Sequence, residues 1–265
     1  MSRALRAAAA LALLLAGCRS LTPPAVLLAP GDPRPAALLA TLGERSAGLS
    51  ALRGMARLAV DGPGGSLRSR QVLVAARPAL LRVEIVGFLS QTQALLVTDG
   101  ETYAFFSARD RRFESDRVRP GLLWEIAGID LEPGEAVGVL LGAPDLGSLA
   151  PARAASLGGG AVRVVLVDQA GRPRRALEFD AGGALRRLAA WDLDGVLAWD
   201  ARYDDLETLG ATSFAHAIEI EFPPTGVRAR LELSRVSLNP DLAPDAFQLN
   251  PPPGLSHTEE RGGSG

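Results

Sequence analysis

The 265-residue sequence contains no lysine, a single cysteine, two histidines and only 5% aromatic residues. One cysteine excludes an intrachain disulfide framework. Two histidines without a second cysteine cannot complete a zinc site, so no metal is expected. The formal charge is −2, and the arginines are scattered rather than striped along one helix. That distribution gives no basic field for phosphates and argues against nucleic acid as a partner. Missing lysine beside abundant Ala, Arg, Gly and Leu points to a GC-rich genome rather than to a site. Hydrophobic residues reach 47% although rings are few. The core must therefore be built from Leu, Val, Ala and Ile, which leaves room for a guest.

Motifs of chemistry are equally scarce. No Gly-x-Ser-x-Gly elbow occurs, and Gly158-Gly159-Gly160 precedes a strand and lacks the Lys-Ser/Thr of a phosphate loop. The acids Asp192, Asp194, Asp200, Asp204 and Asp205 lack the spacing and closing Glu of a calcium loop and read as a solvated surface. His257 falls in a polar tail. Period two puts His216 on the face of Phe214, Ile218, Ile220 and Phe222, where it reads as a partly buried side chain with one hydrogen-bond partner. The chain is not expected to be an enzyme, and a hydrolytic activity dependent on His216 is the weakest alternative.

At the N-terminus Arg3 and Arg6 form a short positive region, followed by an apolar run over residues 7–15, too short to span a bilayer. This is the layout of a cleaved leader, residues 1–17. Leu15-Ala16-Gly17-Cys18 then resembles the lipobox of bacterial lipoproteins. The resemblance implies a diacylglyceryl group on Cys18, the sole non-protein group expected, and attachment to membrane lipid. Each buried methylene contributes about 0.8 kcal/mol, so several acyl chains hold a protein permanently. Arg19 follows the cysteine in place of the aspartate of inner-membrane retention, which by the same resemblance favours the outer membrane, with the domain facing the periplasm.

Residues 18–35 carry five prolines and read as an extended tether. Leu38, Leu42, Leu49 and Leu52 recur at helical spacing and predict a helix over 36–52. Beyond Gly54 the period becomes two: Leu81, Val83 and Ile85 alternate with Arg82 and Glu84, and Val227, Ala229, Leu231 and Leu233 alternate with polar residues. Further short runs are separated by turn signals such as Asp99-Gly100 and Asp194-Gly195. The expectation is a mainly β (α+β) domain over 36–254: an antiparallel curled sheet, or incomplete β-barrel, of about eleven strands. Two short helices interrupt it between residues 119 and 150, and a disordered tail covers 255–265.

This order of elements is similar to that of the LolA/LolB family. The insertion Ile126-Ala127-Gly128-Ile129-Asp130-Leu131-Glu132-Pro133, then Val139-Leu140-Leu141-Gly142-Ala143-Pro144, resembles the family's helix, Gly turn, capped second helix and Gly-x-Pro exit. Leu238-Asn239-Pro240-Asp241-Leu242 with Phe247-Gln248-Leu249 resembles its closing segment, and Arg202-Tyr203-Asp204-Asp205 a strand end of LolB-like sequences. The resemblance implies an incomplete barrel with a two-helix lid over an apolar cavity for acyl chains. It also implies an acylated lipoprotein or another lipid as cargo, and a periplasmic carrier protein as a partner.

The cavity lining expected from the cleanest strands and the lid is Leu81, Val83, Ile85, Leu96, Phe106, Leu123, Trp124, Leu140, Leu197, Trp199, Ile218, Ile220, Leu231 and Leu233. The same residues describe an ordinary filled core equally well. In LolB-like members an apolar loop residue helps deliver cargo to the membrane, and here Phe88 and Leu89 hold that place: either a membrane or cargo tip, or a hairpin end packed on the lid. Two functions follow: a lipid receptor or carrier, or an envelope protein-interaction module with the same fold and no ligand.

Overall fold

The structure, a computed structural model, describes residues 25–210 and 212–251. The expected leader, Cys18, the tether through residue 24 and the tail over 255–265 lie outside the described residues. Fourteen strands are present among the described residues: β1 (Val26–Leu27), β2 (Ala51–Gly62), β3 (Gly65–Ala76), β4 (Leu80–Val86), β5 (Thr92–Thr98), β6 (Thr102–Ser107), β7 (Arg112–Arg117), β8 (Ala150–Gly158), β9 (Ala161–Val167), β10 (Pro173–Phe179), β11 (Leu185–Trp191), β12 (Leu197–Leu209), β13 (Thr212–Phe222) and β14 (Val227–Leu238). They form one curled, unclosed antiparallel sheet in the order β1-β8-β9-β10-β11-β12-β13-β14-β2-β3-β4-β5-β6-β7. Two meanders, β2 to β7 and β8 to β14, thus meet at a central β14–β2 seam.

The sheet exceeds the expected eleven strands because β8 and β1 carry no period-two signal. β8 reads Ala-Pro-Ala-Arg-Ala-Ala-Ser-Leu-Gly, and its register against β9 shifts at Pro151/Arg153 and again at Ser156/Gly158. A proline is admitted there by the bulge and by the scant cover of the two-residue β1. Because β1 pairs with β8, the stretch expected as tether ends sooner than residue 35.

Helix α1 spans Pro33–Gly48, with Pro33 in its first turn and the Asp32 carboxylate accepting from the Arg34 N–H at 3.0 Å. The expected helix over 36–52 therefore starts late and runs too far. Asn239, just past β14, sets the true end: its Nδ2 donates to Gly48 O (2.7 Å) and its Oδ1 accepts from the N–H groups of Ser50 (2.9 Å) and Ala51 (3.2 Å). A contact across 191 residues thus stops the helix, and Leu49 and Leu52 bury themselves at the head of β2. Arg34 in turn holds the Asp32 carboxyl down to about 2.

Helices α2 (Leu122–Ala127) and α3 (Pro133–Leu141) occupy the crossing from β7 to β8, as the sequence pattern predicts. Glycines in the left-handed region flank them: Gly121 (φ 78°) and Gly128 (φ 69°) bracket α2, and Gly142 (φ 58°) ends α3. The main core lies on the concave face beneath them. A smaller cluster of Leu95, Val97, Ala104 and Phe113 lies apart from it, joined by Phe106 and by Leu249 of the closing segment.

Candidate functional site

Inward-pointing residues of β2–β6, β13 and β14 and the underside of α2 and α3 line an apolar hollow of about 130 Å³ that opens to solvent. Strand parity builds the floor. Register places Ile218 opposite Leu231, Leu231 opposite Leu58, and Ile220 opposite Ala229, so one face of the seam is continuous Ile, Leu and Ala. Leu123, Ile126 and Ala127, three and four residues apart on α2, supply part of the roof with Ala136, Val139 and Leu140 of α3. Among the described residues, only one ring, that of Phe105, lines the space.

One polar side chain faces in. Gln71 is 4% exposed, and its Nε2 donates to Ser69 Oγ at 3.0 Å. It shares the inward parity of Leu67, Ser69 and Leu73, a position open to sequence inspection but overlooked when only apolar residues are sought.

Nine of the fourteen expected lining residues come together here: Leu81, Val83, Ile85, Leu96, Leu123, Leu140, Ile218, Ile220 and Leu231. The other five do not. Phe106 is one residue out of phase, since Leu96 pairs with Phe105 while Phe106 pairs with Leu95 and joins the smaller cluster. Trp124 is 40% exposed, because on so short a helix the inward stripe is already taken by Leu123, Ile126 and Ala127. Trp199 is buried beneath the Arg175 guanidinium, 5.6 Å from its ring centroid, and Leu197 enters the same strand near its exposed hairpin. Leu233 is buried in the solid part of the core beyond the hollow.

Arginines pin the lid at its perimeter. Arg175 pairs with Glu135 of α3 at 3.0 Å, and Arg119, which donates to Tyr103 Oη at 2.7 Å, holds Glu125 of α2 at 2.5 Å. Beyond α3, Arg77 donates to Ala143 O and, through Nε, to Leu49 O at 3.2 Å. Arg45 donates to the carbonyls of Leu141 (3.3 Å) and Ser213, beside the buried Tyr203. Burial pushes the Arg45 guanidinium down and the Tyr203 phenol up from their ordinary values. The lid is thus tied by polar contacts at its rim and covers a lining that is apolar but for Gln71.

Phe88 and Leu89 do not pack on the lid. They are 91% and 80% exposed on a loop held by Gly87 N–H to Gln91 O (2.8 Å) and Leu89 N–H to Gln91 Oε1 (2.9 Å). Residues Ile85 and Ala94, which line the hollow, stand on the two strands that carry this loop.

His216 does not reach the hollow. Its Nδ1 lies 3.1 Å from Leu233 O and its Nε2 3.6 Å from the Glu207 carboxylate. Nor is the acidic run uniformly solvated. Asp192 caps a hairpin turn, accepting from Asp194 and Val196 N–H groups, but Asp200 is buried and bonded to Arg187 Nε at 2.8 Å; Arg187 also reaches Glu178, itself bound to Arg163.

No protein-family model matches the sequence, and no curated protein does. Solved structures match the fold. A LolA superfamily protein from Nitrosomonas europaea superposes with a TM-score of 0.57 at 14% identity, over 79% of this chain and 97% of that one. A domain described as outer membrane lipoprotein-sorting, from Vibrio parahaemolyticus, gives 0.52 at 10% identity over 80% and 95%. A DUF1329 family protein from Desulfovibrio piger gives 0.53 at 10% identity over 82% and 98%. At these identities the likeness shows the fold alone: this chain folds as these three proteins do.

Proposed function

We propose that this chain is a lipid-anchored envelope protein that binds acyl chains beneath its lid, receiving or inserting lipoproteins or handling another lipid without catalysing a reaction. The hollow carries the reading. Transfer of an acyl chain from water into such a space gains about 25 cal/mol per Å² of apolar surface and requires no reactive residue. Gln71 supplies one amide at the wall, suited to an ester or amide carbonyl near the head of an acylated cargo. A protein-interaction module without a ligand predicts a packed interior instead, which the open space under α2 and α3 disfavours.

Anchoring through Cys18 at the outer membrane, with the domain in the periplasm, completes the reading. It draws on the leader and lipobox pattern and agrees with the lipoprotein-sorting description of the Vibrio domain. Phe88 and Leu89 then form the tip that meets bilayer or cargo.

The test is titration of the purified chain with a fluorescent fatty acid and with an acylated peptide. Saturable binding at one site per chain is expected, and replacement of Ile218 or Leu231 by a bulky or charged residue abolishes it while circular dichroism stays native. A folded chain that binds neither probe sinks the proposal.

A further inference from the structure

On the sheet face opposite the hollow, Arg57 of β2 and Arg70 of β3 stand directly opposite one another, and both are exposed. Like charges in that relation repel and weaken a strand pair. Neither guanidinium has a hydrogen-bond or carboxylate partner among the described residues, whereas most arginines of the domain do. On the other flank of β2, Glu232 of β14 stands opposite Arg57, but its carboxylate is held by Arg230 at 3.2 Å.

Their surroundings suggest what they bind. Arg70 pairs with Val86, the last residue of β4, so the row Arg57–Arg70–Val86 leads straight to the loop bearing Phe88. One shallow groove is lined by Arg57, Arg68, Arg70, Arg230 and Phe88 together. Glu232, its one acid, is engaged by Arg230 at 3.2 Å, and Arg57 and Arg70 bond no carboxylate, although an adjoining groove on the same face also carries Asp204 and Asp205. An exposed phenylalanine and leucine beside unbonded guanidinium groups is the chemistry of a bilayer interface: apolar side chains enter the acyl boundary while arginines meet phosphate oxygens, bidentately where geometry allows.

We propose that this outer face of β2, β3 and β14 is a docking surface for anionic phospholipid, with Arg57 and Arg70 meeting head-group phosphates and the Phe88–Leu89 tip entering the bilayer. The inference rests on the membrane-tethered reading above and specifies which face of the domain lies against the membrane. It also orients the mouth of the hollow, because β4 and β5 run from the lining residues Ile85 and Ala94 to the inserted loop, about 10 Å for three residues of strand.

The experiment uses the chain carrying Cys18→Ser, so that no covalent lipid contributes, with vesicles of phosphatidylcholine alone or mixed with phosphatidylglycerol. The parent is expected to sediment with the anionic vesicles and to release as salt rises. The pair Arg57→Gln and Arg70→Gln should weaken anionic-vesicle binding on the order of tenfold or more, leave weak binding to neutral vesicles unchanged, and leave Tm unchanged, since the lost Arg57–Arg70 repulsion offsets the lost Arg57–Glu232 attraction. Equal binding of parent and double variant to anionic vesicles overturns the proposal. A lowered Tm accompanying the loss also overturns it, since the arginines would then be structural. Fatty-acid binding is read on the same samples. Its absence beside intact anionic-vesicle binding removes the hollow reading and supports this one.

Discussion

Two parts of one concave face have met different fates. Strands β9 to β12 present Val164, Leu166, Leu177, Phe179, Leu188, Trp199, Ala201 and Tyr203, all closed off from solvent. Under α2 and α3, strands β14, β2, β3, β4 and β5 present Leu, Val, Ile and Ala around open space. Residue polarity is alike in the two; bulk differs. Five of the thirteen aromatics lie in the filled part, where Phe214 and Phe222 of β13 join Phe179, Trp199 and Tyr203. The hollow receives Phe105 and two short helices held at their rims. A sheet this curled has more inner surface than its small side chains can fill, and the sequence decides where the deficit falls.

The largest expected effect compares equivalent truncations. Leu188→Ala in the filled part should cost about 3–5 kcal/mol, whereas Leu231→Ala beside the hollow should cost less than about 2 kcal/mol, because its neighbours already face space. Urea unfolding with unchanged m-values measures both. Equal costs would mean that the two parts are packed alike. Next comes Arg45→Ala, which strips donors from the buried carbonyls of Leu141 and Ser213 at the boundary between the parts; a loss of about 2–4 kcal/mol is expected.

The opposite substitution sharpens the contrast. Ala201→Leu overfills a fully buried site and should destabilise by about 1–3 kcal/mol. Ala229→Leu should leave stability within about 1 kcal/mol while reducing fatty-acid affinity, since the added carbons occupy ligand space. The smallest effect concerns α1. Asp32→Ala removes the α1 cap and should slightly lower helix content by circular dichroism. Its carboxyl lies at about 2 in the fold against 3.8 ordinarily, so the cap's contribution is present above 3.8 and fades as pH falls through about 2. Parent and variant should converge in that acid range.

Which of these parts was legible beforehand follows from how far each signal reaches along the chain. Strand parity is local, so Leu81, Val83 and Ile85, or Ile218 and Ile220, declare their common face without knowledge of any partner. Parity fails where two rings adjoin: Phe105 and Phe106 cannot be told apart without the register of β5. It fails again at Leu197 and Trp199, which do point inward as a pattern but lie on the side that Arg175 fills. The end of α1 depends on Asn239, a partner that no helical window contains. Arg57 and Arg70 read merely as polar alternation until pairing sets them face to face.

The seam has a consequence for assembly. Its two strands come from opposite ends of the domain, residues 51–62 and 227–238, so the middle of the sheet cannot be laid down until nearly the whole polypeptide has arrived. Hairpins β2–β3 and β12–β13 can form early from local pairing, yet each stays a free edge awaiting β14. A thread emerging from a narrow channel would thus remain uncommitted until late, and one final strand would convert two separate meanders into a single container.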